Sequence, residues 1–231
     1  MKHQLLDYAT LVFDCDGVIL DSNKVKTEAF FQATLPYGEA AARSMIDYHI
    51  ANGGVSRYKK FAHFQQHIVR AESSHRQASD LEALLQTYAS HVRKGLLCCS
   101  LAPSLEALRK GNPSSVWLIV SGGDQSELRD VFNQRGIFDW FDGGIFGSPD
   151  TKDEILAREL VSGNIKSPAL FLGDSKYDYE AAREAGLDFV FVSSWSEVKN
   201  WQHWVQASDI TVIDSIACLL SGSHKRGDAN H

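Results

Sequence analysis

Phe13-Asp14-Cys15-Asp16-Gly17-Val18 puts two carboxylates two residues apart at the end of an apolar run, followed by a glycine that lets the chain turn away. At the carboxyl end of a buried strand such a pair can divide its labour. One carboxylate attacks as a nucleophile and the other gives and takes a proton. A solvated Asp-x-Asp-Gly turn that only caps a strand is the competing reading of the same residues. Cys15, between the two, faces the opposite side of the strand and reads as a small buried apolar residue.

Three further segments have the residue types to work with that pair. Gly173-Asp174-Ser175-Lys176-Tyr177-Asp178 follows the apolar run Ala169–Leu172, with carboxylates at a strand end and at the next helix start. Hard oxygen donors converging from two strand ends suit Mg²⁺; helix capping by Asp174, with Asp178 favouring the dipole, uses the same residues without excluding a metal. Val120-Ser121-Gly122-Gly123-Asp124 offers a small hydroxyl and free N–H groups to an anion at a helix start, or is an ordinary turn. Lys152 would offset the charge of several carboxylates and a phosphate, or is simply solvated. The order D-x-D, S-G-G, K, G-D-x-x-x-D carries more information than any member alone.

The elements that must position these residues are legible as an alternation. Short apolar runs at 9–14, 116–120, 144–146, 169–172, 189–192 and 210–213 read as strands. Between most of them, 104–110, 124–135, 152–161, 177–185 and 196–206 have helical spacing. This predicts an α/β fold, a doubly wound, Rossmann-like parallel sheet with helices on both faces. Residues 21–95 break the rhythm. Their apolar positions (Ala29, Phe30, Ala33; Met45, Ile46, Ile50; Phe61, Phe64, Ile68; Leu81, Leu84, Leu85, Tyr88, Val92) predict a four-helix insertion after the first strand. The expected organisation is a core domain of residues 1–20 and 96–220, a helical cap domain of 21–95 and a flexible tail of 221–231.

Composition narrows the classes. The chain has 231 residues, 44% apolar and 23% charged, with 23 basic against 29 acidic side chains and a formal net charge of −6. No long basic run offers a surface for a phosphate backbone, so nucleic acid is not expected as a partner. No stretch approaches the ~20 apolar residues of a membrane span. Four cysteines, two of them neighbours, do not read as a disulfide framework. The run Leu11-Val12-Phe13 stops at Asp14, so no signal peptide is read, and a cytoplasmic location is expected. The five tryptophans read as packing residues.

From Ala9 to about Val192, the ordered set resembles the haloacid dehalogenase superfamily. The insertion resembles its C1-type helical cap, and the subgroup most resembled holds phosphoglycolate phosphatase-like and β-phosphoglucomutase-like enzymes. The resemblance implies a Mg²⁺-dependent phosphatase acting on a small phosphorylated metabolite. Asp14 would be the nucleophile forming an aspartyl-phosphate, and Asp16 the general acid/base. Ser121, the Gly122 amide and Lys152 would hold the phosphoryl oxygens. Mg²⁺ would bind Asp14, the Asp16 carbonyl and Asp174, with Asp178 in support. Dehalogenases proper and phosphonoacetaldehyde hydrolases lack the second aspartate, so Asp16 argues for phosphoryl chemistry. Gly53-Gly54-Val55-Ser56-Arg57 resembles the mutase cap loop, in which Arg57, with Lys59 or Lys60, would grip the far end of a substrate; a helix N-cap at Ser56 followed by solvated basic residues is the plainer reading. Position 26, a histidine in mutase-like members, is lysine here. The alternatives are a phosphomutase of that type and a non-catalytic binding protein on the same fold. Monomer and dimer are not distinguished.

Overall fold

The computed structural model describes residues 7–69 and 81–220; the expected tail at 221–231 lies outside them. β1 (Thr10–Phe13) is buried along its whole length, as a strand covered on both faces must be. Its side chains alternate: Leu11 and Phe13 enter one apolar cluster and Val12 the other. β2 (Val116–Asp124), β3 (Gly144–Ser148), β4 (Ala169–Gly173), β5 (Asp188–Val192) and β6 (Thr211–Ile213) complete a six-stranded sheet in the order β3-β2-β1-β4-β5-β6. Every pairing is parallel. This is the doubly wound order, whose direction reverses between β1 and β4, and ligands bind in the crevice outside the strand ends at that point.

Between β1 and the second strand lie α1 (Asn23–Thr34), α2 (Glu39–Ala51), α3 (Arg57–His63) and α4 (Leu81–Cys98). Phe30, Phe61 and Tyr88 pack with ring centroids 4.4–5.7 Å apart at their centre. These rings belong to the same buried cluster as Phe13 and Trp117 of the sheet, so the cap core and one sheet face are continuous. The last cap helix continues to Cys98, past the expected boundary at residue 95. α5 (Leu105–Gly111), α6 (Gln125–Gln134), α7 (Lys152–Val161), α8 (Lys176–Glu184) and α9 (Trp201–Ala207) complete the chain. Ile155, Leu156, Ala181 and Ala182 of α7 and α8 cover the face that Val12 enters.

The two segments joining cap to core are bonded to each other. Leu20 bridges Leu101 in antiparallel fashion, the Asp21 amide donates to the Ser100 carbonyl at 3.0 Å, and the Ala102 amide donates to Ile19 at 2.9 Å. Arg135 donates to the carbonyls of Leu96 and Cys99, both at 2.8 Å, and so holds the end of α4.

Three local features differ from the sequence expectation. Ser121-Gly122-Gly123 does not open a helix; it prolongs β2 through a register irregularity, and Asp124 caps α6 by accepting from the Glu127 amide at 2.9 Å. Aspartate satisfies a free helix amide where glycine cannot. Ser175, not Asp174, caps α8. The helix expected over 196–206 starts only at Trp201, because the segment before it is spent on other contacts: the Ser196 hydroxyl donates to the Asp174 carbonyl at 2.6 Å, and the Trp195 carbonyl accepts from Asn23 at 2.8 Å.

Candidate active site

Asp14 leaves the end of β1 and Asp174 the end of β4, the two strands that flank the reversal. The Asp14 carboxylate accepts from the Cys15 amide at 2.8 Å and lies 2.9 Å from the Lys152 ammonium. Lys152, in the first turn of α7, also pairs with Asp178. Asp178 closes a capping box on α8: its Oδ2 accepts from the amides of Asp174 (3.2 Å) and Ser175 (3.0 Å) and from the Ser175 hydroxyl (2.7 Å). Asp174 accepts from the Asn23 amide group at 2.7 Å. Carboxylate oxygens of Asp14, Asp174 and Asp178 all lie within 4.8 Å of one another.

Gly17 makes this convergence possible. Its φ is +75°, and a Cβ there would stand 2.1 Å from the Asp174 carboxylate. Any side chain would push the β1 turn away from the β4 carboxylate as well as straining the backbone.

The electrostatics follow from burial. Asp14 is pushed up to about 7, first by burial and then by the neighbouring Asp178 and Asp16 charges, against the pull of Lys152. Asp174 is driven well above the ordinary carboxylate range, by burial and then by Asp14 and Asp178. Burial opposes the Lys152 charge, but Asp14 and Asp178 outweigh it and raise its pKa. Three buried carboxylates face one buried ammonium, so the cluster lacks positive charge. No protein donor among the described residues reaches Asp14 Oδ2 or Asp174 Oδ1. A hard-oxygen donor set short of cation charge fits Mg²⁺.

Asp16 stands in a different setting. Its Oδ1 accepts from the Ser22 hydroxyl at 2.6 Å, and its Oδ2 pairs with Lys26 of α1. Burial alone would raise Asp16, but Lys26 and Ser22 overcome it and hold the carboxyl below its usual range. Ser22 sits at the N-cap position of α1 yet caps nothing, because its hydroxyl is spent on Asp16.

Ser121 is fully buried, and its Oγ accepts from the Gly123 amide at 3.0 Å. Gly122 lines the cavity beside Asp14 and meets the cap: a Cβ on it would lie 2.1 Å from the Gly54 carbonyl oxygen. The cap loop therefore sits down on the end of β2. Arg57 also lines that cavity, but its guanidinium holds Glu127 of α6 at 2.5 and 3.1 Å and lies 4.7 Å from the centre of the Tyr88 ring. Lys59 is exposed, whereas Lys60 is buried. Cys15 is buried in the apolar cluster that contains Phe13.

The structure thus brings Asp14, Lys152, Asp174 and Asp178 into one contact network, with Asp16 and Gly122 on the same cavity wall. The partners missed by sequence reasoning are Ser22, Asn23 and Lys26. Their signal was one helical turn, positions 22, 23 and 26 at the start of α1, a few residues after the D-x-D-G turn.

A family model for haloacid dehalogenase-like hydrolases matches residues 8–186. The chain belongs to the haloacid dehalogenase-like hydrolase family. No curated protein matches it. Solved structures share the fold at low identity. A haloacid dehalogenase-like family hydrolase from Streptococcus pneumoniae is 21% identical with a TM-score of 0.67, the match covering 95% of this chain and 100% of that one. A predicted phosphoglycolate phosphatase from Haemophilus somnus is 15% identical with a TM-score of 0.71, over 93% and 97%. CbbY from Rhodobacter sphaeroides, solved with phosphate, is 15% identical with a TM-score of 0.66, over 91% and 95%. In this haloacid dehalogenase-like hydrolase, Asp14 and Asp16 follow the first strand of the parallel sheet. No helix among its described residues is long and apolar enough to cross a membrane.

Proposed function

We propose that this hydrolase is a Mg²⁺-dependent phosphatase of a small phosphorylated metabolite, with residues 21–95 acting as the cap over its site. The observation that carries the reading is the ion-pair network of Asp14, Lys152 and Asp178, buried at the carboxyl ends of β1 and β4. Asp14 is the nucleophile: its carboxylate attacks phosphorus, the P–O bond to the substrate breaks, and an aspartyl-phosphate forms. Asp16 protonates the departing alkoxide and then takes a proton from the water that releases phosphate. Asp16 is ionised while it is paired with Lys26, so it must leave Lys26 and take up a proton from solvent before it can act as the acid. Lys152, Ser121 and the Gly122 amide hold the phosphoryl oxygens, and positioning with charge neutralisation supplies most of the rate in such reactions. Mg²⁺ would be held by Asp14, the Asp16 carbonyl and Asp174, with Asp178 orienting the set; when bound it neutralises phosphoryl charge.

Phosphatases are named among the structural neighbours, which supports the reaction class. The cavity that holds Asp14 measures about 50 Å³, room for roughly four waters, which favours a compact substrate. The test is phosphate release from a panel of phosphomonoesters with Mg²⁺ and with EDTA, for wild type and Asp14→Asn. We expect turnover that needs metal and vanishes in the variant. Metal-independent turnover, or turnover that survives the substitution, would overturn the reading.

A further inference from the structure

Three of the four cations around the site have carboxylate partners: Lys26 has Asp16, Arg57 has Glu127, and Lys152 has Asp14 and Asp178. Lys60 of α3 has none. It is 2% exposed, lines the cavity that contains Asp14 and Asp174, and makes no ion pair among the described residues. Its ammonium lies 2.7 Å from His49 Nδ1 and 3.5 Å from the His49 carbonyl. Because a lysine ammonium only donates, His49 Nδ1 accepts and the ring proton sits on Nε2. That Nε2 is buried without a partner among the described residues. Phe30 backs both groups, with its ring 4.6 Å from that of His49 and 5.6 Å from the Lys60 ammonium. Glu197, the remaining carboxylate on the wall, faces the Thr27 hydroxyl at 3.2 Å and is not paired with Lys60. A buried ammonium without an ion-pair partner carries a desolvation cost that the more distant Asp16 and Glu197 charges offset only in part.

We propose that Lys60, oriented by His49, receives a second anionic group of the substrate, a carboxylate or a second phosphate, at the cap end of the cavity whose other end takes the phosphoryl group. The inference rests on the phosphatase reading and makes it more specific. The substrate class is a short phosphomonoester with an anion at its far end. Arg57, the cap cation that the sequence points to, acts instead as a tie between cap and core.

The test compares three phosphomonoesters of equal length, ending in a carboxylate, a phosphate or a neutral hydroxyl. For wild type we expect kcat/KM about 10- to 100-fold higher with an anionic end, the range for a hydrogen bond to a charged group. Whichever anion is preferred identifies the source. Lys60→Met should collapse this preference through KM, and Lys60→Arg should retain most of it. Equal kcat/KM for all three esters in wild type overturns the inference and leaves the phosphatase reading standing; this arm does not depend on how any variant folds. If no ester is turned over, the phosphatase reading falls. Calorimetric affinities for Asp14→Asn with Mg²⁺ then decide: tighter binding of the anionic esters supports the Lys60 receptor, and equal affinities or no binding overturn it.

Discussion

Lys60 also affects stability. Burial, with the Lys26 charge nearby, lowers its pKa from the ordinary 10.5 to about 7, so between those values the unfolded chain holds a proton that the folded chain does not. Stability of the wild type therefore rises with pH through that window. Lys60→Met has no such dependence, and we expect it to melt higher than wild type by a few kcal/mol of stability at pH 7. The gain should shrink toward zero as pH approaches 10.5, which paired melting curves in EDTA would read. A melting difference that is flat with pH would sink this account. Sequence alone did not separate Lys60 from its neighbours. Arg57, Lys59 and Lys60 all stand in one basic run, and helical geometry turns Arg57 and Lys60 inward with Phe61 while Lys59 faces solvent. The Arg57 partner, Glu127, is 70 residues away, a pairing that no local pattern reveals. Asp14, Lys152 and Asp174 were legible for the opposite reason: strand ends and a helix start place them, and those are marked by local apolar runs.

Among the elements, the prolonged β2 matters most for the site. A turn at Ser121-Gly122-Gly123 was a fair reading of two glycines, but the strand continues because Gly122 must lie flat against the cap loop at Gly54. Gly122→Ala puts a methyl group 2.1 Å from the Gly54 carbonyl oxygen, and the backbones must part. The clash is with the cap, so it is relieved by lifting the loop rather than by unfolding. We expect kcat/KM to fall on the order of 100-fold, the scale of an ångström misplacement, with a melting temperature within a few degrees of wild type. Steady-state kinetics beside a thermal melt checks this, and an unchanged rate would show that the loop need not touch β2. All six strands were legible, each bounded by Gly, Ser, Asp or Pro. The helix before Trp201 was not, because its residues had the right spacing but serve Asp174 and Asn23 instead.

Across the whole molecule, the cap is held down by polar ties to α6 and its N-cap: Arg57 to Glu127, the Tyr58 hydroxyl to Asp124 at 2.7 Å, and Arg93 to Asp130 at 2.7 Å. Glu127→Ala strands a buried guanidinium, at a cost of about 3–5 kcal/mol if the cap stays down. The cheaper response is for the cap to lift. Hydrogen exchange should then quicken in α3 while the sheet keeps its protection, and KM should rise. Equal quickening across the cap and the sheet would show that the tie does not govern closure. The helical insertion and the doubly wound sheet were both legible from periodicity; the closed posture was not, since it depends on pairs of residues far apart in sequence. The ladder between Leu20 and Leu101, with Arg135 clamping the end of α4, adds a mechanical consequence. Two strands of chain enter the cap, yet laced together they bend as a single ribbon. Such a ribbon flexes readily across its flat face and resists shear within its plane, which would confine any swing of the cap to one arc. Closing along that arc would bring Gly54 back to the same spot on β2.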